Sequence, residues 1–219
     1  MIPYILIIYK YILVYLKGMI ILNYYIDFDH TLFDTPKLTQ RMLESIVNTS
    51  KLDIMDECKK MFNREHIYNI YELAKYFSDK YDLNKFELIQ AINNEINHCS
   101  DLIFIDSLSF LQNLKDHGHK IFMLSYYEHG LQYQIAKIAG SHIADLFDEI
   151  IITKDLKYTL DIDYSKGIFI DDKPQDLIGL YSKNPKKVIR LRRIGSKYSP
   201  KDIDINIEEY RNFDEIPID

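Results

Sequence analysis

Apolar residues fall in two rhythms along this chain. From Leu38 to His98 they recur at the three- and four-residue steps of a helix face, beginning with Leu38, Met42, Leu43, Ile46 and Val47. Thr35 followed by Pro36 is a helix-start signature. Further helical stretches are predicted near 52–62, 67–81 and 85–98, the last capped by Asn84. On either side of this block the apolar residues gather into short continuous runs instead. These are Met19 to Ile26, Lys120 to Leu124, Asp148 to Ile152, Gly167 to Ile170 and Lys187 to Leu191. Helical patterns over 106–116 and 130–139, and one opened by Pro174, separate the later runs. Continuous apolar strands alternating with helices predict an α/β fold with a parallel sheet covered on both faces. The expected organisation is an α/β core from 19–34 and 100–219, with a helical insert over 35–99.

The stretch from Met1 to Leu16 is apolar and aromatic, broken by Lys10. It is short for a membrane span and lacks the positive leading region of a signal peptide. A membrane anchor, an extra packed helix and translated sequence upstream of a start at Met19 are the three readings. The last is favoured, because the first strand begins just after Met19, and residues 1–18 are treated as an extension.

Composition narrows the partners. The 219 residues are 47% hydrophobic and 27% charged, enough for a real core. A formal net charge of −6 argues against nucleic acid or an anionic membrane as the main partner. Cys58 and Cys99 lie far apart and form no metal-type pair; they read as buried or incidental reduced thiols of a cytoplasmic protein.

The candidate chemistry sits at the strand ends. Asp27 and Asp29 close the first strand two residues apart, where strand alternation points both the same way. Two such anions repel each other unless a cation or a shared proton intervenes. Later strands end in Ser125, in Lys154, and in Asp171-Asp172. Ligands of open parallel sheets sit beyond the carboxyl ends of the strands. Carboxylates for a hard cation, with a hydroxyl and an ammonium for phosphoryl oxygens, would together hold Mg²⁺ and a phosphate.

At these residues the chain resembles the haloacid dehalogenase-like (HAD) hydrolase superfamily. Its first motif, Asp-x-Asp-x-Thr, stands here as Asp27-Phe28-Asp29-His30-Thr31, its second as the strand ending in Ser125, and its acidic fourth as Asp171-Asp172 with Asp176. The resemblance implies a Rossmann-like core with a helical cap inserted after the first strand, and a Mg²⁺-dependent phosphatase acting on a small phosphomonoester. It implies Asp27 as the nucleophile forming an aspartyl-phosphate and Asp29 as the acid and base. Ser125, Lys154 and Thr31 would serve the phosphate, with Thr31 bracing the turn. Asp27, Asp29 through its backbone carbonyl, Asp172 and Asp171 would surround the metal. The third-motif lysine is either Lys154 or Lys157; Lys154 is preferred because it follows its strand directly. Halide-removing members lack an acid at the place of Asp29, which favours phosphate-ester cleavage. A phosphotransferase or mutase, or a catalytically idle binding module of the same fold, are the alternatives.

Other features read as structural. His30, where the family often has Gly, is a turn residue rather than a metal ligand. The tyrosines Tyr68, Tyr71, Tyr76 and Tyr81 are packing, His117 and His119 are solvated, and the basic run Arg190 to Arg193 is a sheet-end or surface feature.

Overall fold

The computed structural model describes residues 21–64, 69–128 and 130–218, so the expectations placed on residues 1–18 and on Tyr68 lie outside it. Six strands form one parallel sheet: β1 (Asn23–Ile26), β2 (Lys120–Tyr126), β3 (Glu149–Thr153), β4 (Gly167–Asp171), β5 (Lys187–Leu191) and β6 (Glu208–Tyr210). Their spatial order is β3-β2-β1-β4-β5-β6. From β1 the chain builds outward through β2 and β3, then crosses back to lay β4, β5 and β6 on the other side. β1 is therefore central, and the crevice beyond the ends of β1 and β4 is the topological switch point. Register brings Ile26 opposite both Met123 and Ile170. Every residue of β4 is buried, as a sheet covered on both faces requires.

Between β1 and β2 the described residues form five α-helices: α1 (Thr35–Ser50), α2 (Met55–Arg64), α3 (Ile70–Tyr81), α4 (Lys85–Asn97) and α5 (Ile105–Asp116). α6 (Leu131–Ser141) and α7 (Pro174–Tyr181) connect later strands. The start of α1 follows from its sequence: the Asp34 carboxylate accepts from the Lys37 N–H at 3.1 Å, and proline occupies the first turn. Asn84 caps α4 by accepting from the backbone N–H groups of Phe86 and Glu87, as the pattern predicts. One hydrophobic cluster runs without a break from Leu38, Met42 and Ile46 of α1, through Ile92 and Ile96 of α4, to Ile26, Ile121 and Ile170 of the sheet. Cys58 and Cys99 are free and buried within it. Among the described residues no helix is long and apolar enough to cross a membrane.

α4 meets α6 at Gly140, where a Cβ would fall 2.0 Å from the Ile96 carbonyl oxygen and 3.1 Å from Asn97 Cα. Both obstacles are backbone, so a methyl group there must push the helices apart. Gly140→Ala is expected to cost about 1–3 kcal/mol of stability, read as a lower midpoint in urea unfolding.

His119 departs from its expected solvated state. It is 6% exposed, accepts from the Leu22 N–H and lies against the Tyr24 ring.

Candidate active site

β1 ends where the chemistry begins. The Asp27 N–H donates to the Ile170 carbonyl at 2.9 Å, continuing the β1–β4 pairing by one residue and setting Asp27 beside Asp171. Lys157 joins the two: its Nζ lies 2.6 Å from Asp27 Oδ1 and 2.6 Å from Asp171 Oδ2, and all three side chains are buried. Asp172 completes the floor. Asp27, Asp171 and Asp172 each offer one oxygen, and these atoms all lie within 4.8 Å of one another.

The electrostatics follow from burial. Loss of water around Asp27 is the largest influence and, with the charges of Asp171 and Asp29, outweighs Lys157 to push its carboxyl up to about 7. Burial also holds Asp172 well above the usual carboxylate range, assisted by the charges of Asp27 and Asp171. Lys157 is driven the other way from what burial alone would do. The charges of Asp171, Asp27 and Asp176 keep it firmly protonated. Once ionised, three crowded carboxylates outnumber the one ammonium, and the donors are hard oxygens. That set fits a divalent cation of the magnesium type.

Asp29 sits apart from this cluster in its bonding. Its carboxylate accepts from Thr35 Oγ1, from the ammonium of Lys137, and from Gln134 Nε2 at 2.8 Å. Burial would raise its pKa, but the Lys137 ion pair and these hydrogen bonds prevail and hold it below the usual range. The turn that follows needs a left-handed residue, and His30 supplies it with φ of 62°. That is a conformation glycine adopts without cost and a side chain adopts less readily.

Over these groups lies a cleft of about 630 Å³. The acids Asp27, Asp29, Asp171, Asp172 and Asp176 line its floor, with Lys157 among them. α1 contributes Thr39 and Gln40, α6 contributes Gln134 and Lys137, and the chain after β5 contributes Lys197 and Tyr198.

The structure thus brings Asp27, Asp29, Asp171 and Asp172 to one cleft and corrects three other expectations. Lys154 is exposed and does not line the cleft; the lysine at the acids is Lys157. The chain bends after Thr153, whose Oγ1 accepts from the Asp155 N–H, and a short 3₁₀ turn from Lys157 to Thr159 aims the later lysine inward. Ser125 is fully buried and does not reach the cleft surface; its Oγ accepts from Gln134 Nε2 at 2.8 Å. Thr31 is also fully buried, with no side-chain partner among the described residues, and its carbonyl accepts from Arg193. It is a turn residue and not a phosphate contact. Gln134, Lys137 and Ser196 escape the sequence reading. The first two had a signal: polar residues three apart on α6, on the face that also buries Ile138 and Ser141.

No protein-family model and no curated protein sequence matches this chain. Solved structures do. A haloacid dehalogenase-like protein of Burkholderia xenovorans superposes with a TM-score of 0.67 at 13% identity, over 90% of this chain and 98% of that one. YfnB of Bacillus subtilis, assigned to the HAD hydrolases and solved bound to magnesium, gives 0.60 at 10% identity over 89% and 96%. CbbY of Rhodobacter sphaeroides, solved as a mutant in complex with xylulose 1,5-bisphosphate, gives 0.57 at 12% identity over 90% and 96%. An L-2-haloacid dehalogenase is among the matches too. With the strand order and the acids at the ends of β1 and β4, these likenesses establish that the chain has the haloacid dehalogenase-like hydrolase fold.

Proposed function

We propose that the protein is a Mg²⁺-dependent phosphatase that hydrolyses a small phosphomonoester through a phosphorylated Asp27. The observation that carries the reading is the buried cluster of Asp27, Asp171 and Asp172 around Lys157, with Asp29 two residues beyond the nucleophile position. The dehalogenases of this fold leave the reading open between halide and phosphate chemistry. Asp29 favours phosphate, because an alkoxide leaving group needs a proton and a halide does not.

Asp27 attacks the phosphorus of the bound ester; the bond from phosphorus to the ester oxygen breaks, and that oxygen takes its proton from Asp29, which is ionised without substrate and takes up a proton when the phosphate dianion arrives beside it. Asp29, now a carboxylate, takes a proton from a water molecule that attacks the same phosphorus and releases phosphate from Asp27. Asp27, Asp171 and Asp172 would hold Mg²⁺, which when bound offsets the charge of the phosphoryl group. Lys157 holds Asp27 in place and adds a fixed positive charge beside the reacting atoms. Gln134 fixes Asp29 and Ser125 in common register through the two hydrogens of its amide. Residues 35–99 serve as a cap: α1 walls the cleft, and closing the site against water protects the phosphoryl step. The cleft volume suits a sugar phosphate or nucleotide, and the bisphosphate bound by CbbY supports that class. With the free thiols Cys58 and Cys99, we read this as a cytoplasmic enzyme working on soluble metabolites.

Hydrolysis of an aryl phosphate with and without MgCl₂ tests the reading, and its pH dependence has a definite sign. Because Asp27 titrates near 7 and Asp172 is raised as well, metal must displace protons at lower pH. The Mg²⁺ concentration for half-maximal rate should fall as pH rises from about 5.5 towards 7, by up to about tenfold per pH unit for each proton displaced. Hydrolysis that persists undiminished in EDTA would overturn the proposal.

A further inference from the structure

Beyond the four acids, the segment that follows β5 forms an outer support for the cation site. Ser196 Oγ lies 2.8 Å from Asp172 Oδ2, and both residues are buried. The same Oγ accepts the Tyr198 N–H at 3.3 Å. A hydroxyl has one proton to give, and here it is committed to Asp172. That bond fixes the orientation of the Asp172 carboxylate, which offers one oxygen to the acid cluster.

Ser196 is itself held by unusual means. Gly195 takes φ of 86°, and the Ser196 N–H donates to the Arg193 carbonyl in a tight turn. Three arginines tether the segment around that turn. Arg190, completely buried, donates from Nη2 to the carbonyls of Tyr198 and Lys201. Arg192 donates to the Ser199 carbonyl. Arg193 points the opposite way: its Nε donates to the Thr31 carbonyl at 2.7 Å, and its Nη2 meets Asp106 and Ser107. The Arg193 guanidinium also stacks 3.8 Å over the Phe104 ring. One short segment thus grips the turn carrying Asp27 and Asp29 with Arg193, and the turn carrying Asp172 with Ser196.

We infer that Ser196 is a positioning residue for Asp172, and that the arginine-tethered segment 192–201 sets the two acidic turns in register for divalent cation binding. This rests on the Mg²⁺ reading above. Hydrogen bonds to ligating carboxylates typically matter tenfold or more in metal affinity.

Calorimetric titration of the full chain with MgCl₂, with no substrate present, is the test, run beside thermal melts with and without the ion. Wild type should bind Mg²⁺, Ser196→Ala should bind about tenfold more weakly, and Ser196→Thr, which keeps the hydroxyl, should return to within about twofold of wild type. In an Asp172→Asn background the Ser196→Ala change should have no further effect on Mg²⁺ binding, since its partner is already altered. If Ser196→Ala lowers the melting temperature but leaves the Mg²⁺ affinity unchanged, Ser196 is structural only and the inference falls. If wild type itself takes up no Mg²⁺, the cation reading fails first and the positioning role falls with it.

Discussion

Asp27→Asn should lower Mg²⁺-dependent hydrolysis of an aryl phosphate by roughly four orders of magnitude or more, while the protein stays folded. Asparagine keeps the shape of aspartate and removes its nucleophilic charge. The packing around the site is indifferent to the exchange, because Lys157 retains Asp171 as a partner. Stability should even rise slightly above pH 7 without metal. There the wild-type Asp27, titrating near 7, is forced to ionise beside Asp171 and Asp29. The sign is that of a carboxyl raised on folding: its contribution declines as pH climbs from the unfolded value near 4 to the folded value near 7. A variant whose melting temperature is preserved at pH 8 and whose activity is gone places the defect in chemistry. Activity within tenfold of wild type would remove Asp27 as the nucleophile.

The sheet was legible because its strands are buried on both faces and so appear as continuous apolar runs. β6 was not, since Glu208-Glu209-Tyr210 is an edge strand with no apolar signature, defined by pairing with β5. The acids were legible for a related reason: Asp27 and Asp171 each end an apolar run, and parallel pairing puts those ends side by side. Lys154 was misplaced because adjacency to a strand says nothing about the bend that follows. The Thr153 turn spends Lys154 on solvent and delivers Lys157. The basic run from Arg190 to Arg193 suits a sheet end or a surface, because arginines usually face solvent. Arg190 instead has the Glu209 carboxylate 19 residues further on and two loop carbonyls, and Arg193 has Asp106, 87 residues earlier. Partners that distant leave no mark in local pattern. Gln134 and Lys137 were visible as polar residues on a buried helix face, but their common target, Asp29, lies 105 and 108 residues away.

Lys157→Met, set beside Lys154→Met, tests the corrected lysine most directly. Methionine has nearly the reach of lysine without its charge, so the comparison isolates the ammonium. At Lys157 its loss leaves Asp27 and Asp171 buried without their shared cation, a defect of about 3–5 kcal/mol when one member of a buried ion pair is removed. That cost should be greatest in metal-free protein at pH 8. It should shrink towards pH 5.5, where protons neutralise the carboxyls in place of the lysine, and shrink again in excess Mg²⁺. Hydrolysis should drop by roughly 10²–10³-fold, the usual scale for removing one fixed charge or donor from a reacting centre. Lys154→Met, changing an exposed side chain outside the cleft, should leave both stability and rate within about twofold of wild type. The opposite ranking would return the role to Lys154 and require the segment after β3 to rearrange during catalysis. The expected ranking has a simple cause: one ammonium shared between two carboxylates at 2.6 Å cannot be replaced by one that ends in water.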